Sequence, residues 1–156
     1  MSDPFDKRLN EILVDTFHTI LKVQERAIKD SGQSDLSISE MHLLEAVAKE
    51  NEGRTISDIA QELGITLPSV TVAINKLAQK GYVEKVRGAS DARMVYVTLT
   101  ALGHKMDSAH QYFHDQMIRS ISMGLTQDEK QVLTLCIEKL NRFFKQQTGN
   151  WRLNEF

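Results

Sequence analysis

TISDIAQELGITLPSVTVAINKLAQKGYVEKVRGASDARMVYVTLTALG, residues 55–103, is the stretch that decides the fold. It begins with a capping box, Thr55-x-x-Asp58, in which the Thr55 hydroxyl and the Asp58 carboxylate are expected to satisfy free amides of a helix's first turn. Gly64 follows and can take the left-handed conformation that closes a helix. The spacing therefore predicts a short helix that ends in a tight turn.

A second helix is predicted immediately after that turn. Thr66 can cap it, and Pro68 is tolerated in its first turn because the missing amide would be unbonded there anyway. Gly81 ends it. Four apolar residues recur at helical spacing and give the helix one buried face. They are Val70, Ala73, Ile74 and Leu77.

Two β-rich runs follow the second helix, Tyr82–Arg87 and Met94–Leu99, joined by a turn at Gly88–Asp91. Alternating apolar residues in the second run predict one buried and one solvated face. These residues are Val95, Val97 and Leu99. Helix, tight turn, helix and β-hairpin together describe a winged helix-turn-helix, a DNA-reading unit.

The same residues carry a family resemblance. The run SDARMVYVTLTALG, residues 90–103, resembles the wing signature of the MarR family of bacterial transcriptional regulators, D-x-R-x-x-x-V-x-L-T-x-x-G. The residues in register are Asp91, Arg93, Val97, Leu99, Thr100 and Gly103. Residues 63–85 are similar to that family's recognition helix and first wing strand, and the similarity extends to the outer helices. Ala92 departs from the pattern, because many members carry a second arginine there.

Composition bounds the class of protein. A chain of 156 residues that is 41% apolar fits one domain with a core of its own. Residues 66–93 hold five basic and two acidic side chains, so this segment carries +3 and leaves −5 for the rest of a chain of net charge −2. A basic face on an acidic body suits a DNA binder. The charged N-terminus and the lack of an apolar run of about 18 residues predict a cytoplasmic protein.

The outer segments predict long helices. An amphipathic helix from Phe5 to about Lys29 carries an apolar stripe that a small winged-helix unit cannot cover. The stripe comprises Phe5, Leu9, Ile12, Leu13, Phe17, Ile20, Leu21 and Val23. The expected fold is mainly α with a small β-hairpin wing: a single MarR-type domain with a winged helix-turn-helix at residues 37–99. Residues 1–30 and 100–156 would then form the dimerisation helices.

Three further helices are predicted from their first residues. The capping box Ser37-x-x-Glu40 starts a helix that ends near residues 51–53, and its inward residues are Met41, Leu44, Val47 and Ala48. Thr100 caps a helix that runs to about Met123, where Gly124 breaks it. Its predicted apolar face is Leu102, Met106, Ala109, Phe113, Met117 and Ile121.

The last helix begins at a third capping box, Thr126-x-x-Glu129. Its apolar stripe comprises Val132, Leu133, Cys136, Leu140, Phe143 and Phe144. Cys136 on this stripe is interpreted as a buried core cysteine rather than an oxidant sensor, because sensing thiols need an accessible, electropositive setting. A single cysteine also forbids an internal disulfide.

DNA contacts are predicted for the outward face of the second helix and for the wing. The first turns of such a helix enter the major groove, where hydroxyls bond phosphates or base edges and apolar groups meet thymine methyls. Asn75 could pair with adenine. The candidates on this helix are Thr66, Pro68, Ser69, Thr71, Val72, Asn75 and Lys76. A solvated helix face without a partner is the alternative.

In the wing, Arg87 and Arg93 are candidates for the minor groove of A·T-rich DNA. The resemblance implies that Asp91 holds Arg93 by an ion pair, although an aspartate here can also simply form the turn. These contacts predict a homodimeric repressor on a pseudo-palindromic operator. A winged helix that binds protein is the competing class. No nucleophile–base pair, glycine-rich phosphate loop or paired carboxylate motif occurs, so an enzyme is not expected.

Histidines suggest a second kind of site. His110 and His114 lie four residues apart on one helix face, which is a metal-ligand spacing. The resemblance adds that zinc-responsive MarR members carry histidines at positions matching these two and His42. The carboxylate ligand of those members aligns nearest Gln24, with Glu25 adjacent, so zinc held by the three histidines with Glu25 or water is one hypothesis.

The same three histidines recur in the family's fatty-acid-biosynthesis repressors, which this chain resembles more closely in SISEMHLL, residues 37–44, and in residues 100–117. That branch implies no required cofactor and an acyl ligand, carried by acyl carrier protein, as corepressor. The histidines would then be polar walls of an acyl pocket, or plain surface residues. The predicted pocket lining is Phe17, Leu21, Met41, Leu44, Met106, Phe113 and Met117.

Overall fold

The computed structural model describes residues 3–30, 35–88, 91 and 93–147. The elements are α1 (Pro4–Asp30), α2 (Ile38–Ala48), β1 (Arg54–Thr55), α3 (Ile56–Leu63), α4 (Leu67–Gln79), β2 (Val83–Arg87), β3 (Val95–Leu99), α5 (Ala101–Met123) and α6 (Gln127–Gln147). The predicted mainly helical fold with a small β wing is confirmed. No helix among the described residues is long and apolar enough to cross a membrane. The departure at Ala92 and the end of the predicted 100–156 segment, residues 148–156, lie outside the described residues.

The chain forms two compact units, residues 1–111 and residues 112–156. The division falls within α5, between Gln111 and Tyr112. The first unit contains the whole winged helix-turn-helix, and the second contains the end of α5 together with α6. The domain boundaries given above, with dimerisation helices on either side of the winged unit, stay a prediction.

The core of the first unit is built around α2. This helix is buried on nearly every side, because α1, α3, α4 and β3 all contact it. Its predicted inward residues are buried, apart from the half-buried Ala48. The core residues are Ile28, Leu36, Met41, Leu43, Leu44, Ala46, Val47, Ile59, Ala60, Val70, Ile74, Leu77, Tyr82, Val83, Val97, Leu99 and Met106.

The sheet has three antiparallel strands in the order β1-β3-β2. Val83 pairs with Leu99 and Arg87 with Val95, so the two predicted wing strands are confirmed to within a residue. The third strand, β1, was not predicted, because two residues carry no periodic signal. Val95 was expected to be buried but is 39% exposed, since it pairs with Arg87 at the turn end of the hairpin.

Most of the predicted caps form. Ser37 and Glu40 make both bonds of a capping box, with the Ser37 amide donating to the Glu40 carboxylate at 2.8 Å. Thr55 accepts from the Asp58 amide, but the Asp58 carboxylate accepts from the Thr55 hydroxyl at 2.5 Å rather than from a backbone amide. Gly64 has φ +65° and closes α3, as predicted from its lack of a Cβ.

The inward face of α5 in the first unit differs from the prediction. Leu102 is 40% exposed and Ala109 is exposed, and the buried positions are Gly103, Met106, Asp107 and His110. Gly103 explains the shift, because a Cβ there would lie 2.1 Å from the Tyr82 carbonyl oxygen. The helix turns its glycine toward the strand and so brings two polar residues inward beside Met106.

The second unit is a helical hairpin with little burial of its own. Gly124 breaks the helix, and the capping box at Thr126 and Glu129 starts α6 as predicted. However, α6 has no buried residue. Cys136 was expected in a core and is instead exposed, because the apolar stripe of α6 contains no buried residue.

Candidate DNA-binding surface and histidine cluster

The packing of α4 decides which of its side chains face solvent. Val70, Ile74 and Leu77 are completely buried and fix the orientation of the helix on the core. The opposite face is therefore turned outward, and Val72 is 68% exposed at its centre. Of the predicted contact residues on this helix, Thr71 is half-buried, and the exposed ones are Thr66, Pro68, Ser69, Val72, Asn75 and Lys76.

Hydroxyl groups organise the start of α4. Thr66 caps the helix by accepting from the Ser69 amide at 3.4 Å, and the two hydroxyl oxygens lie 2.8 Å apart. The Thr71 hydroxyl donates to the Leu67 carbonyl at 2.9 Å. Thr71 therefore presents its remaining lone pairs and its methyl group, whereas Ser69 sits on an exposed first turn.

Two exposed apolar residues beside this turn were missed from the sequence. Ile65 is 47% exposed and Leu67 is 51% exposed. Ile65 precedes the helix, and Leu67 lies three residues before Val70, so helical spacing would place Leu67 on the buried stripe and does not identify either residue as exposed. With Val72 they give the leading edge of α4 an apolar character suited to thymine methyl groups.

Two polar residues of α4 already hold partners within the chain. The Lys76 ammonium group is 3.0 Å from the Glu40 carboxylate, and the Asn75 side-chain oxygen accepts from Lys85 at 2.5 Å. Lys85 on β2 was not among the predicted contacts. With its oxygen engaged, Asn75 presents amide donors outward, which favours acceptors on the bases over the predicted pairing with adenine, whose bidentate form also needs the amide oxygen.

Glu40 is the most strongly bonded carboxylate near α4. It is 7% exposed and lies within 3.1 Å of the ammonium groups of Lys76 and Lys80. Burial by itself raises the pKa of Glu40, but bonds from the Ser37 amide and from both lysines outweigh it and lower the pKa to about 2. The side chain is thus a fixed negative charge that joins the start of α2 to the end of α4.

The wing presents two exposed arginines. Arg87 and Arg93 are both exposed, as a minor-groove role requires. The Asp91 carboxylate accepts from the Arg93 backbone amide at 2.9 Å, and the Met94 amide donates to the Asp91 carbonyl. Asp91 therefore forms the turn by accepting from the Arg93 backbone, and the ion pair with the Arg93 side chain that the resemblance implied stays a prediction. Arg87 lines a groove with Glu50 and residues of the strands.

A histidine cluster lies in the same unit. His42 and Glu45, one turn apart on α2, meet His110 of α5, and their ligand atoms all lie within 4.8 Å of one another. The His110 ring nitrogen is 3.1 Å from the Glu45 carboxylate. Two imidazoles and a carboxylate are a zinc-type donor set, although ligands about 2.0–2.1 Å from a tetrahedral ion would have to move closer together. Residues His42, Glu45 and His110 therefore fit a metal in donor chemistry.

The predicted ligand set is only partly assembled. Glu45 was missed, although its i, i+3 spacing from His42 on one helix could have indicated it. Glu25 instead lines a groove with Leu36 and the start of α2. His114 belongs to the second unit.

A buried carboxylate adjoins the cluster. Asp107 is 6% exposed, and one of its oxygens accepts from Gln111 at 2.7 Å while the other has no hydrogen-bond partner. Burial, and then the charge of Glu45, raise the pKa of Asp107. Sequence pattern alone does not predict this buried carboxylate, because an aspartate on a helix is usually solvated.

The predicted acyl-pocket residues of the first unit differ in their burial. Met41, Leu44 and Met106 are packed in the core, whereas Phe17 is 61% exposed. Phe113 and Met117, also predicted to line the pocket, belong to the second unit. The pocket stays a prediction.

Comparison with known proteins identifies the class of this fold and surface. A profile of the MarR family matches residues 34–94. The chain is similar to Streptococcus pneumoniae FabT, whose crystal structure is in complex with DNA: identity is 34%, the TM-score is 0.85, and the match covers 90% of this chain and 97% of that one.

Curated relatives agree. YhjH and YwhA of Bacillus subtilis (strain 168), both uncharacterised HTH-type transcriptional regulators, are 28% identical over 89 residues and 33% identical over 86 residues. Those matches cover 57% and 55% of this chain, which spans 50% and 62% of the two relatives.

A winged helix-turn-helix in which α4 exposes one face and the wing carries exposed arginines defines a DNA-binding class of protein. The chain belongs to the MarR family, as the extent of the FabT match establishes. The family consists of DNA-binding transcription regulators and not enzymes, and the similarity to FabT supports the resemblance to the fatty-acid branch.

Proposed function

We propose that this protein is a sequence-specific transcriptional repressor that binds double-stranded DNA as a homodimer on a pseudo-palindromic operator. The observation that carries the proposal is the outward face of α4, which is exposed opposite a completely buried stripe. Similarity to FabT, solved with DNA bound, supports the same role. In a C₂ dimer the two recognition helices would lie about 34 Å apart, one turn of the duplex.

The contact roles follow from what each side chain leaves available. Ser69, Thr71 and Val72 would read base edges and thymine methyl groups in the major groove. Arg87 and Arg93 would anchor the wing, with Asp91 shaping its turn. Readout that depends on hydroxyl and apolar groups, without an arginine on α4, suits an A·T-rich operator.

Exposed apolar surface supports the homodimer. Along α1, Phe5 is 66% exposed and Phe17 is 61% exposed. On α6, the rings of Phe143 and Phe144 pack edge to face and are 50% and 53% exposed. Apolar surface of this extent marks an interface, and a second copy supplies the matching surface by symmetry.

Two substitutions test the DNA-binding roles. Arg93→Ala should weaken binding to all duplexes and flatten the salt dependence of log K by about one unit, because one phosphate contact is lost. Val72→Ala should change which bases are preferred. Binding titrations at several salt concentrations and selection from random duplexes measure the two effects. If Arg93→Ala changes neither affinity nor salt dependence, the wing assignment is wrong.

For the effector, we propose an acyl chain presented by acyl carrier protein, with genes of fatty-acid biosynthesis as the targets. Resemblance to the fatty-acid branch and the similarity to FabT support it. Met41 and Met106 give the core between α2 and α5 adaptable side chains that can make room for a chain. A ligand of this kind shifts DNA affinity only by its differential affinity for two states.

Zinc is the second candidate effector, because one observation favours it: His42, Glu45 and His110 converge from two helices. The two neutral imidazoles and the carboxylate would hold the ion, and water or a further carboxylate would complete a tetrahedron. The ion would supply a cross-link between α2 and α5.

Thermal unfolding separates the two effectors. Zinc at micromolar free concentration should raise the melting temperature, and His110→Ala should abolish the rise while His104→Ala, on the exposed side of α5, should keep it. Acyl-loaded acyl carrier protein should raise it in the presence of a chelator. If neither changes the melting temperature or the DNA affinity, both effector proposals fail and the repressor proposal remains.

A further inference from the structure

One carboxylate lies at the base of the proposed DNA-binding helix and is not explained by folding alone. Glu40 caps α2 through the Ser37 amide, and a neutral glutamine would satisfy that amide as well. Its negative charge instead pairs with two lysines four residues apart, one in the last turn of α4 and one at its C-cap. Lys76 is 3.0 Å from one carboxylate oxygen, and Lys80 is 3.0 Å from the other.

The two lysines differ in how firmly they are held. The Lys80 side chain is 17% exposed, and its ammonium group also donates to the Asp35 carbonyl at 2.7 Å. Lys80 therefore forms a structural tie between the start of α2 and the end of α4. The Lys76 side chain is 61% exposed and reaches back to Glu40 from the outward part of the recognition helix. Lys76 is the cation that could otherwise extend toward DNA.

We propose that Glu40 acts as an internal substitute for a DNA phosphate: it holds the Lys76 ammonium group on the protein, so that Lys76 does not neutralise the DNA backbone. The inference rests on the proposed DNA-binding function. Phosphate neutralisation supplies sequence-independent affinity, whereas base contacts supply specificity. A carboxylate that occupies a lysine of the recognition helix lowers the first without touching the second, so Glu40 is a specificity-determining residue that makes no DNA contact.

The charge pattern of α4 fits this role. Helix α4 and its C-cap residue carry one lysine each, Lys76 and Lys80, and both are bonded to the same buried carboxylate. Its exposed leading part offers hydroxyl, amide and apolar groups for base readout. Among the described residues of the proposed DNA-binding surface, the exposed arginines are those of the wing, Arg87 and Arg93. The geometry thus separates base readout by α4 from phosphate anchoring by the wing.

A double-substitution cycle tests the proposal. Wild type, Glu40→Gln, Lys76→Gln and the double variant are titrated with a random-sequence duplex at several salt concentrations. Glu40→Gln keeps the cap and should steepen the slope of log K against log salt by about 0.9, the contribution of one phosphate contact. Lys76→Gln should leave the wild-type slope unchanged but should abolish the gain in the Glu40→Gln background. Glu11→Gln, on the exposed part of α1, makes the same change in net charge and should not steepen the slope.

The outcomes are distinct. If Lys76→Gln flattens the slope by the same amount in both backgrounds, Lys76 contacts phosphate despite Glu40 and the inference is overturned. An unchanged slope for Glu40→Gln also overturns it. Should Glu40→Gln not fold, as judged by circular dichroism, the comparison of Lys76→Gln with wild type decides alone, because the proposal requires equal slopes. Failure of the wild type to bind any duplex at low salt overturns the proposed function itself.

Discussion

Helix α4 in the first unit and helix α6 in the second carry comparably regular apolar stripes, but only the stripe of α4 is buried. In the first unit the α4 stripe is sealed, and Val70, Ile74 and Leu77 have no exposed surface. In α6 the stripe is equally regular, but no residue of the helix is buried. Amphipathic periodicity therefore indicates that a helix face will be covered, and it does not indicate whether the same chain covers it.

This difference in burial indicates different roles for the winged unit and for the helices with exposed stripes. The winged helix-turn-helix has a core of its own, so the orientation of α4 is fixed by the chain itself. The exposed stripe of α6 and that of α1 leave apolar surface that a second copy would bury. In the proposed dimer, the winged helix-turn-helix contacts DNA, and the exposed stripes of α1 and α6 determine the spacing between the two winged units.

The largest effects on stability are expected from one substitution in the core of the first unit and one on the apolar stripe of α6. Leu77→Ala should lower the free energy of unfolding by about 2–5 kcal/mol at every protein concentration, because it leaves a cavity in a sealed core. Phe143→Ala should act mainly through the dimer, so its effect on the melting temperature should depend on protein concentration.

Thermal and chemical denaturation at two protein concentrations, with sedimentation of the native state, distinguish the two substitutions. A melting temperature of Phe143→Ala that differs from wild type equally at all concentrations would contradict the assignment of α6 to an interface. So would a monomeric wild type at micromolar concentration.

The two complete capping boxes offer a second contrast, with pH as the variable. The pKa of Glu40 lies at about 2 in the folded chain, below its ordinary value of 4.5, so Glu40 stabilises the fold above pH 4.5 and loses this contribution as the pH falls toward 2. The shift corresponds to about 3 kcal/mol. Glu40→Gln should remove that part of the acid dependence.

Glu129 is the matched control. Bonds from the Thr126 amide and hydroxyl lower the pKa of Glu129, but this carboxylate is exposed and has no lysine among the causes of its shift. Glu129→Gln should therefore change acid unfolding less than Glu40→Gln does. Urea titrations between pH 7 and pH 2 compare the two variants, and equal losses would show that the lysine pairs of Glu40 contribute nothing.

Two glycines should differ in how much stability their replacement by alanine costs, because one lies against a neighbouring strand and the other lies in open space. A Cβ at Gly103 would lie 2.1 Å from the Tyr82 carbonyl, so Gly103→Ala should force α5 off the strand and cost about 2–3 kcal/mol. Gly64 meets nothing within 4 Å, and Gly64→Ala should cost only about 1–2 kcal/mol, the strain of a left-handed alanine. Thermal unfolding ranks them, and a milder Gly103→Ala would contradict the close approach.

The smallest effect is expected on the DNA-binding surface. Lys85→Ala frees the side-chain oxygen of Asn75, so this amide should regain bidentate pairing with adenine. Base preference at the contacted position should shift toward adenine by roughly 1 kcal/mol or less, while unfolding stays unchanged. Selection from random duplexes measures the shift, and an unchanged preference would show that Asn75 does not read a base.

Local patterns predicted most of the first unit. Caps at Ser37, Thr66 and Gly64 depend on bonds within a few residues, and the buried face of α4 depends on helical spacing alone. The strand β1 was missed because two residues carry no period. The buried face of α5 was misplaced by one position, because a backbone approach at Gly103 outweighed the apolar count.

Partners distant in the chain account for the rest. Nothing near Lys76 in the sequence indicates Glu40, and nothing near Asn75 indicates Lys85, since both pairs form only when helices and strands pack. Glu45 completes the histidine cluster in the same way. Cys136 was misjudged because its stripe predicts burial without saying which chain provides the cover.

The central claim is that the winged unit binds DNA through phosphate and base contacts. Its most direct test is the salt dependence of binding to a random-sequence duplex by the intact protein. The account predicts measurable affinity at low salt and a steep negative slope of log K against log salt, about −0.9 for each phosphate neutralised. Little affinity and a slope near zero would contradict it and would instead indicate a winged helix that binds protein.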